Sequence, residues 1–380
     1  MDMKVPFYRH DLDKSCADRV AEVLASPFLT TGGVAKAVEA QLCTFFDVPH
    51  AVLVNSWTNG AVAVLLALGV GPGDEVIVPA MTFISSANVA ELVGAKPVFV
   101  DVESDTLMPT PETVRAAVSA NTRAVVPVHL YGQMCDIGAL RAALADRPDI
   151  AIIEDCAHSF ESSLDGHLPG AFSDAAIFSF YATKNVTCGE GGAIITRDAQ
   201  LFEAVQQTRL HGMSAGAIDR FAKNKYRHWD MTRLGTKANL PDLLASLLPA
   251  QIAAVRDRRA LREARARRYE KAFSGNAIRL AASVPGAVHA RHLFPIHVPA
   301  SVRDDALGAL NERGIGTTVN YRSVPTLTYY REKYGYTADD FPVSHEWGEG
   351  TISLPLFPSM TMDEQDYVID AVNECVVPMI

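Results

Sequence analysis

Between about residue 50 and residue 210 the chain alternates short apolar runs with segments of helical periodicity. The runs fall at 51–54, 75–78, 97–100, 124–128, 150–153, 175–178 and 193–196. Several are continuously apolar rather than alternating, which is the pattern of strands covered on both faces. Helix-like stretches at 59–68, 84–93, 113–119 and 137–145 separate most of them. Repeated strand–helix–strand units predict a largely parallel sheet with helices on both sides. Gly71-Pro72-Gly73-Asp74 supplies a turn between the first of these helices and the second strand.

Beyond this region the pattern changes. Residues 241–274 read as one long helix, with Leu243, Leu244, Leu247, Leu248, Ile252 and Val255 on one face and a basic segment after them. The remainder reads as α+β, with a strand at 293–298, a helix at 302–313, a strand at 316–321 and a final helix at 362–376. Residues 1–245 are therefore expected to form a large domain with an N-terminal arm. Residues 246–380 are expected to form a linking helix and a smaller domain packed against it, since no flexible linker separates the two.

Composition narrows the function classes. The chain has 380 residues, 48% apolar and 21% charged, enough to bury a substantial core. A formal net charge of −10 argues against binding nucleic acid or an anionic membrane surface through the overall field. The Arg-rich run 256–268 is most simply a solvated helix face. Six cysteines are scattered without a CxxC pair or zinc-like spacing, so no metal site is predicted and the thiols are expected to be reduced. Residues 1–10 lack the apolar centre of a signal peptide, and no stretch approaches the roughly 20 apolar residues of a membrane span. A cytoplasmic location follows as the expectation.

In open α/β sheets ligands bind beyond the carboxyl ends of the strands. After the run at 150–153 come Glu154, Asp155, Cys156, Ala157 and His158; a carboxylate there is costly to bury without a cationic partner, although a helix cap would also explain it. After 175–178 come Ser179, Phe180, Tyr181, Ala182, Thr183 and Lys184, then Gly189-Glu190-Gly191-Gly192. A lone lysine is usually a surface charge, but one buried beside a cofactor has a depressed pKa and becomes a usable nucleophile and base. After 51–54 come Asn55, Ser56, Trp57, Thr58 and Asn59 at a helix start, which suits a phosphate. Phe83 follows the run at 75–78. A phosphate cradle, an aromatic plate, a carboxylate and a lysine at strand ends together describe a site for pyridoxal 5′-phosphate (PLP).

Longer segments carry a resemblance. They include Leu29-Thr30-Thr31-Gly32-Gly33, Gly69-Val70-Gly71-Pro72-Gly73-Asp74, Glu154-Asp155-Cys156-Ala157-His158, Ser179-Phe180-Tyr181-Ala182-Thr183-Lys184-Asn185, Ala238-Asn239-Leu240-Pro241-Asp242 and Leu354-Pro355-Leu356-Phe357-Pro358. In this order, over nearly the whole chain, they resemble the sugar-nucleotide aminotransferases of the DegT/DnrJ/EryC1/StrS family. That family lies within the fold type I, aspartate aminotransferase-like PLP enzymes. The fold implied is α/β, a large mostly parallel sheet domain flanked by helices plus a smaller α+β C-terminal domain.

The resemblance implies roles by position. Lys184 would carry the cofactor as a Schiff base and serve as the catalytic base. Asp155 would hold the pyridinium nitrogen, His158 would approach the ring or its 3-oxygen, and Phe83 would stack on the ring face. Thr58, the backbone at Trp57, and Ser179 would hold the phosphate. Asn239 would reach the phosphate of a partner subunit, implying a homodimer with shared sites. Thr31, Asn320 and Tyr321 would contact substrate. The implied reaction moves an amino group from glutamate to a nucleotide-linked keto-sugar, specifically a 4-keto-6-deoxyhexose, in amino-sugar biosynthesis for a surface polysaccharide or glycoconjugate. Departures from the family pattern at Trp57, Asn59-Gly60, Asn320 and Pro325 fall beside the phosphate and sugar positions, so substrate identity does not transfer with the cofactor. Alternatives are a cyclitol aminotransferase and a PLP-binding regulatory protein without transaminase activity. Sugar dehydration is disfavoured because Lys184 is present where the dehydrating relatives carry His. A nicotinamide-binding protein is disfavoured because no GxGxxG follows the early strands.

Overall fold

The computed structural model describes residues 3–214 and 228–380. All seven apolar runs become strands: β1 (His50–Val54), β2 (Glu75–Pro79), β3 (Lys96–Val100), β4 (Thr122–Val125), β5 (Ala151–Asp155) and, after the two-residue β6 (Ser163–Leu164), β7 (Ala175–Ser179) and β8 (Gly192–Thr196). They form one sheet in the order β1-β8-β7-β5-β4-β2-β3. Every pairing among β7, β5, β4, β2 and β3 is parallel, whereas β8 runs antiparallel to both β1 and β7.

The continuous apolar runs are explained by burial on both faces. Val52, Val54, Ile177 and Ile194 point to one side, against Val64 and Leu65 of the helix Trp57–Ala67. Ala51, Leu53, Phe178 and Ile195 point to the other, against Val38 and Leu42 of the helix Gly33–Phe46 and Ile252 further on. Fully burying each such Val, Leu, Ile or Phe contributes about 1.5–3 kcal/mol, so neither face tolerates a polar alternation.

The helix Gly33–Phe46 has no side-chain cap of its own. Asp242, over two hundred residues away, supplies it by accepting hydrogen bonds from the backbone N–H groups of Gly32 (2.8 Å), Val34 (3.1 Å) and Ala35 (3.0 Å). A Cβ on Gly32 would lie 2.4 Å from Asp242 Oδ2, which explains the glycine.

The C-terminal part builds its own core from Tyr269, Phe273, Phe294, Ile296, Leu310, Ile352, Leu354 and Val368, joined by Val5 from the N-terminal arm. Its strands are β9 (Ala287–Val288), paired with β6, and β10 (Phe294–His297), paired antiparallel with β11 (Thr351–Leu354). Among the described residues no helix is long and apolar enough to cross a membrane.

Two expectations are corrected. The helix expected over 241–274 is broken: a single turn, Asp242–Ala245, precedes the helix Leu248–Phe273. Pro249 is the cause, since it has no N–H to bond back across the junction and its ring clashes with the carbonyl four residues earlier. The strand expected at 316–321 does not form. Within it only Thr318 makes an isolated bridge, to Ser353, with Ile315 just before it bridging Val5, so no continuous ladder develops. Helices Lys14–Leu24 and Gly33–Phe46 near the start, and Thr328–Tyr334 and Pro342–Gly350 near the end, were not anticipated.

Candidate active site

The carboxyl ends of β1, β5 and β7 converge on one edge of the sheet, and β8 begins there because it runs the other way. Val54 and Ser179 are both register partners of Gly192. A Cβ on Gly192 would come within 2.6 Å of the Phe178 carbonyl and 3.0 Å of Trp57 N, so glycine lets the strand pass beneath the start of the helix Trp57–Ala67. That helix is capped by Ser56, whose Oγ accepts from Asn59 N–H at 3.0 Å. An open cavity of about 570 Å³ lies above this edge.

Nine of the eleven expected site residues line it: Lys184, Asp155, His158, Ser179, Thr58, Trp57, Phe83, Asn320 and Tyr321. Thr31 and Asn239 do not. Asn239 Nδ2 instead donates to Thr31 Oγ1 at 2.6 Å, next to the point where Asp242 caps the helix Gly33–Phe46. The two motifs that carry Thr31 and Asn239 are therefore neighbours in space, joined partly by a structural need.

Asp155 ends β5 with its carboxylate toward the cavity. Oδ2 accepts from the Ser86 hydroxyl at 2.8 Å and Oδ1 from Ala157 N–H at 3.1 Å. Thr82 and Ser86 are joined at 2.9 Å, which orients the Ser86 donor. Burial raises the Asp155 pKa, and the two donors pull it back. Its neighbour Glu154 points to the opposite face, where it holds His129 at 2.7 Å and accepts from Gly170 N–H at 2.7 Å and from the Ser173 hydroxyl.

Lys184 lies on the loop joining β7 to β8. Burial lowers its pKa to about 8, with Asp155 opposing the shift. Its Nζ is 3.5 Å from His292 Nε2. His158 Nδ1 accepts from Tyr131 N–H at 3.1 Å, so Nε2 carries the ring hydrogen and donates to Tyr321 Oη at 3.1 Å. Burial first, then Lys184 and His292, hold His158 well below the ordinary histidine pKa, leaving it neutral. Tyr321 is thereby left free to donate into the cavity. The exposed ring of Phe83 stands 5.6 Å from that of Tyr321.

The donor set fits PLP. Asp155 makes no ion pair among the described residues, so its carboxylate can serve a cationic ring nitrogen. Ser56, Trp57, Thr58 and Ser179 add hydroxyls and a helix N-terminus to the lining of the same cavity, suited to a phosphate. Lys184 lines the same cavity. Three participants were not assigned roles from the sequence: Ser86, Tyr131 and His292. Ser86, four residues after Thr82 at the start of a helix, carried a faint signal; His292, isolated before a strand, carried none.

The sequence profile of the DegT/DnrJ/EryC1/StrS aminotransferase family matches residues 10–373. The spore coat polysaccharide biosynthesis protein SpsC of Bacillus subtilis is 37% identical over 386 residues, spanning 98% of this chain and 97% of its own. Among solved structures, the putative sugar aminotransferase Spr1654 of Streptococcus pneumoniae in its PMP form superposes with a TM-score of 0.92 at 30% identity, covering 98% of this chain and 99% of that one. The S. venezuelae protein DesV, solved in complex with a ketimine intermediate, gives 0.89 at 31% identity over 98% of both chains.

Proposed function

The chain belongs to the DegT/DnrJ/EryC1/StrS aminotransferase family, and from that premise we propose that it transfers an amino group from glutamate to a nucleotide-linked keto-sugar, with PLP anchored on Lys184. PLP is the cofactor, in keeping with the PLP and PMP forms of Spr1654. The observation that carries the reading is the placement of Lys184 Nζ, the Asp155 carboxylate and the helix start at Ser56–Thr58 around one cavity. When bound, PLP supplies an electron sink for the carbon that loses its proton.

The chain's own residues account for the rest. Asp155, held by Ser86 and Ala157, keeps a negative charge beside the ring nitrogen. Thr58, the Trp57 backbone and Ser179 bind the phosphate. His158 stays neutral beside Lys184 and fixes Tyr321. Phe83 walls one side. Lys184, with a pKa near 8, holds or releases a proton close to neutral pH at its Nζ. Asn320 and Tyr321 face the space left for the sugar.

The resemblance read in the sequence carries the reading of a homodimer in which Asn239 serves the neighbouring subunit's phosphate; within this chain Asn239 lies outside the cavity, bonded to Thr31. The likeness to SpsC, a spore coat polysaccharide biosynthesis protein, supports a product destined for a surface polysaccharide, and the 4-keto-6-deoxyhexose follows from the resemblance read in the sequence. The test has two arms. The absorbance band of the lysine-bound cofactor is expected in the wild-type protein and not in Lys184→Ala; an unchanged band in the variant refutes the anchor. Incubating UDP-, dTDP- and GDP-linked 4-keto-sugars with glutamate is expected to yield 2-oxoglutarate with one of them, and failure with all three refutes the substrate class.

A further inference from the structure

Resting on the assignment of Lys184 above, we infer that His292 is a positioning residue for that lysine: its Nε2 lone pair holds the amine at the edge of the cavity whenever the amine carries no other bond. The geometry is a buried hydrogen-bond chain with a fixed direction. Arg262 pairs with Glu161, and the same carboxylate oxygen accepts from Asn185 Nδ2 at 2.8 Å. Asn185 Nδ2 also donates to the Ala290 carbonyl at 3.2 Å, so the amide cannot flip without losing both bonds. Its Oδ1 therefore faces His292 Nδ1 at 3.2 Å. An amide oxygen only accepts, which puts the ring hydrogen on Nδ1 and the lone pair on Nε2, 3.5 Å from Lys184 Nζ.

The surroundings keep the imidazole in that state. Lys184, Arg262 and His289 all disfavour a second proton on His292, and its own burial disfavours it most. His158 packs against the ring at 4.5 Å between centroids and is itself fixed by Tyr131 and Tyr321. Asp155 is the remaining charged group beside the lysine. With one N–H committed to His292, a neutral Lys184 amine has its lone pair turned away from that ring and toward the cavity. A mere space-filler would need no such chain: Arg262, Glu161, Asn185 and His292 are aligned so that an acceptor, and not a donor, meets the lysine.

The experiment is competitive acetylation of the apo-protein with acetic anhydride across pH, reading the Lys184 peptide by mass spectrometry in the wild type, His292→Leu and His292→Gln. An acceptor stabilises the ammonium more than the amine, so its loss in His292→Leu is expected to lower the labelling midpoint by about one pH unit. His292→Gln, whose side-chain oxygen reaches toward the Nε2 position, is expected to restore most of that shift. An unchanged midpoint in His292→Leu, or equal shifts in both variants, overturns the inference. Should His292→Leu not fold, Asn185→Leu releases the imidazole to turn over and is expected to move the midpoint likewise; no movement overturns the inference just as well. Because the readout is taken without cofactor, it is separate from the absorbance test: a cofactor band that survives in Lys184→Ala removes the anchoring role and leaves the labelling result standing.

Discussion

The Ser86 hydroxyl donates to Asp155 Oδ2 at 2.8 Å, from a helix that starts just beyond β2 to a carboxylate at the end of β5. This bond favours the charged carboxylate against the burial that disfavours it. In Ser86→Ala the Asp155 pKa rises further and less negative charge remains beside the ring nitrogen. A hydrogen bond to a charged group is worth about 1.5–3 kcal/mol, so the PLP dissociation constant is expected to rise roughly tenfold or more. Absorbance titration of the apo-protein with PLP checks it.

Lys184 makes the apo-protein's stability depend on pH in a defined sense. Its pKa is about 8 in the fold and near 10.5 in the unfolded chain. Between those values the unfolded chain binds the extra proton, so stability rises with pH through that window. Below about pH 8 both states are protonated and burying the ammonium is a constant penalty. Apo Lys184→Met is therefore expected to be more stable than wild type at pH 7 by about 3 kcal/mol. That advantage should shrink as pH rises from 8 toward 10.5. Urea unfolding across pH measures it.

The buried Arg262–Glu161 pair stands behind the lysine-facing histidine. Removing one partner of a buried ion pair leaves a desolvated charge and costs about 3–5 kcal/mol. Arg262→Met is expected to lower stability by about that amount at neutral pH, seen as a lower urea midpoint. The double variant Arg262→Met with Glu161→Leu is expected to recover much of the loss, since no lone charge then remains.

The shared-site reading of Asn239 has a genetic test. Lys184→Ala and Asn239→Ala chains should each be weak alone. In a mixed dimer one site has its own lysine and the partner's asparagine intact. Random mixing then restores about a quarter of the wild-type sites. Activity that stays at the level of the separate variants means that Asn239 serves its own chain.

The sheet was legible because its signal is redundant: the centres of β1, β7 and β8 (Ala51–Val54, Ala175–Phe178 and Ala193–Ile195) are continuously apolar, as burial on two faces demands. The cavity lining was legible where chemistry and strand ends coincide, as at Asp155 and Lys184. What escaped did so for physical reasons. The break before Leu248 turns on the single residue Pro249 within a continuous apolar periodicity. The segment 316–321 has the composition of a strand but bridges a neighbour only at Thr318. Thr31 and Asn239 looked like binding residues, and their motifs also serve Asp242, which caps a helix from far along the chain. His292 matters through Asn185 and Glu161, a relation that no local pattern encodes.

The two kinds of attachment around the cavity have a consequence for divergence. Lys184 sits in a loop whose ends, Ser179 and Gly192, are register partners in the sheet, and Asp155 ends a strand that pairs with β7. Asn320 and Tyr321 belong to a segment tied down by single bridges, Thr318 to Ser353 and Met81 to Ser323. Insertions or substitutions in the second piece can recut the sugar-facing wall while the sheet keeps the lysine and carboxylate in register. A lineage built this way can exchange one sugar for another by small steps, each of them leaving the lysine and carboxylate in place.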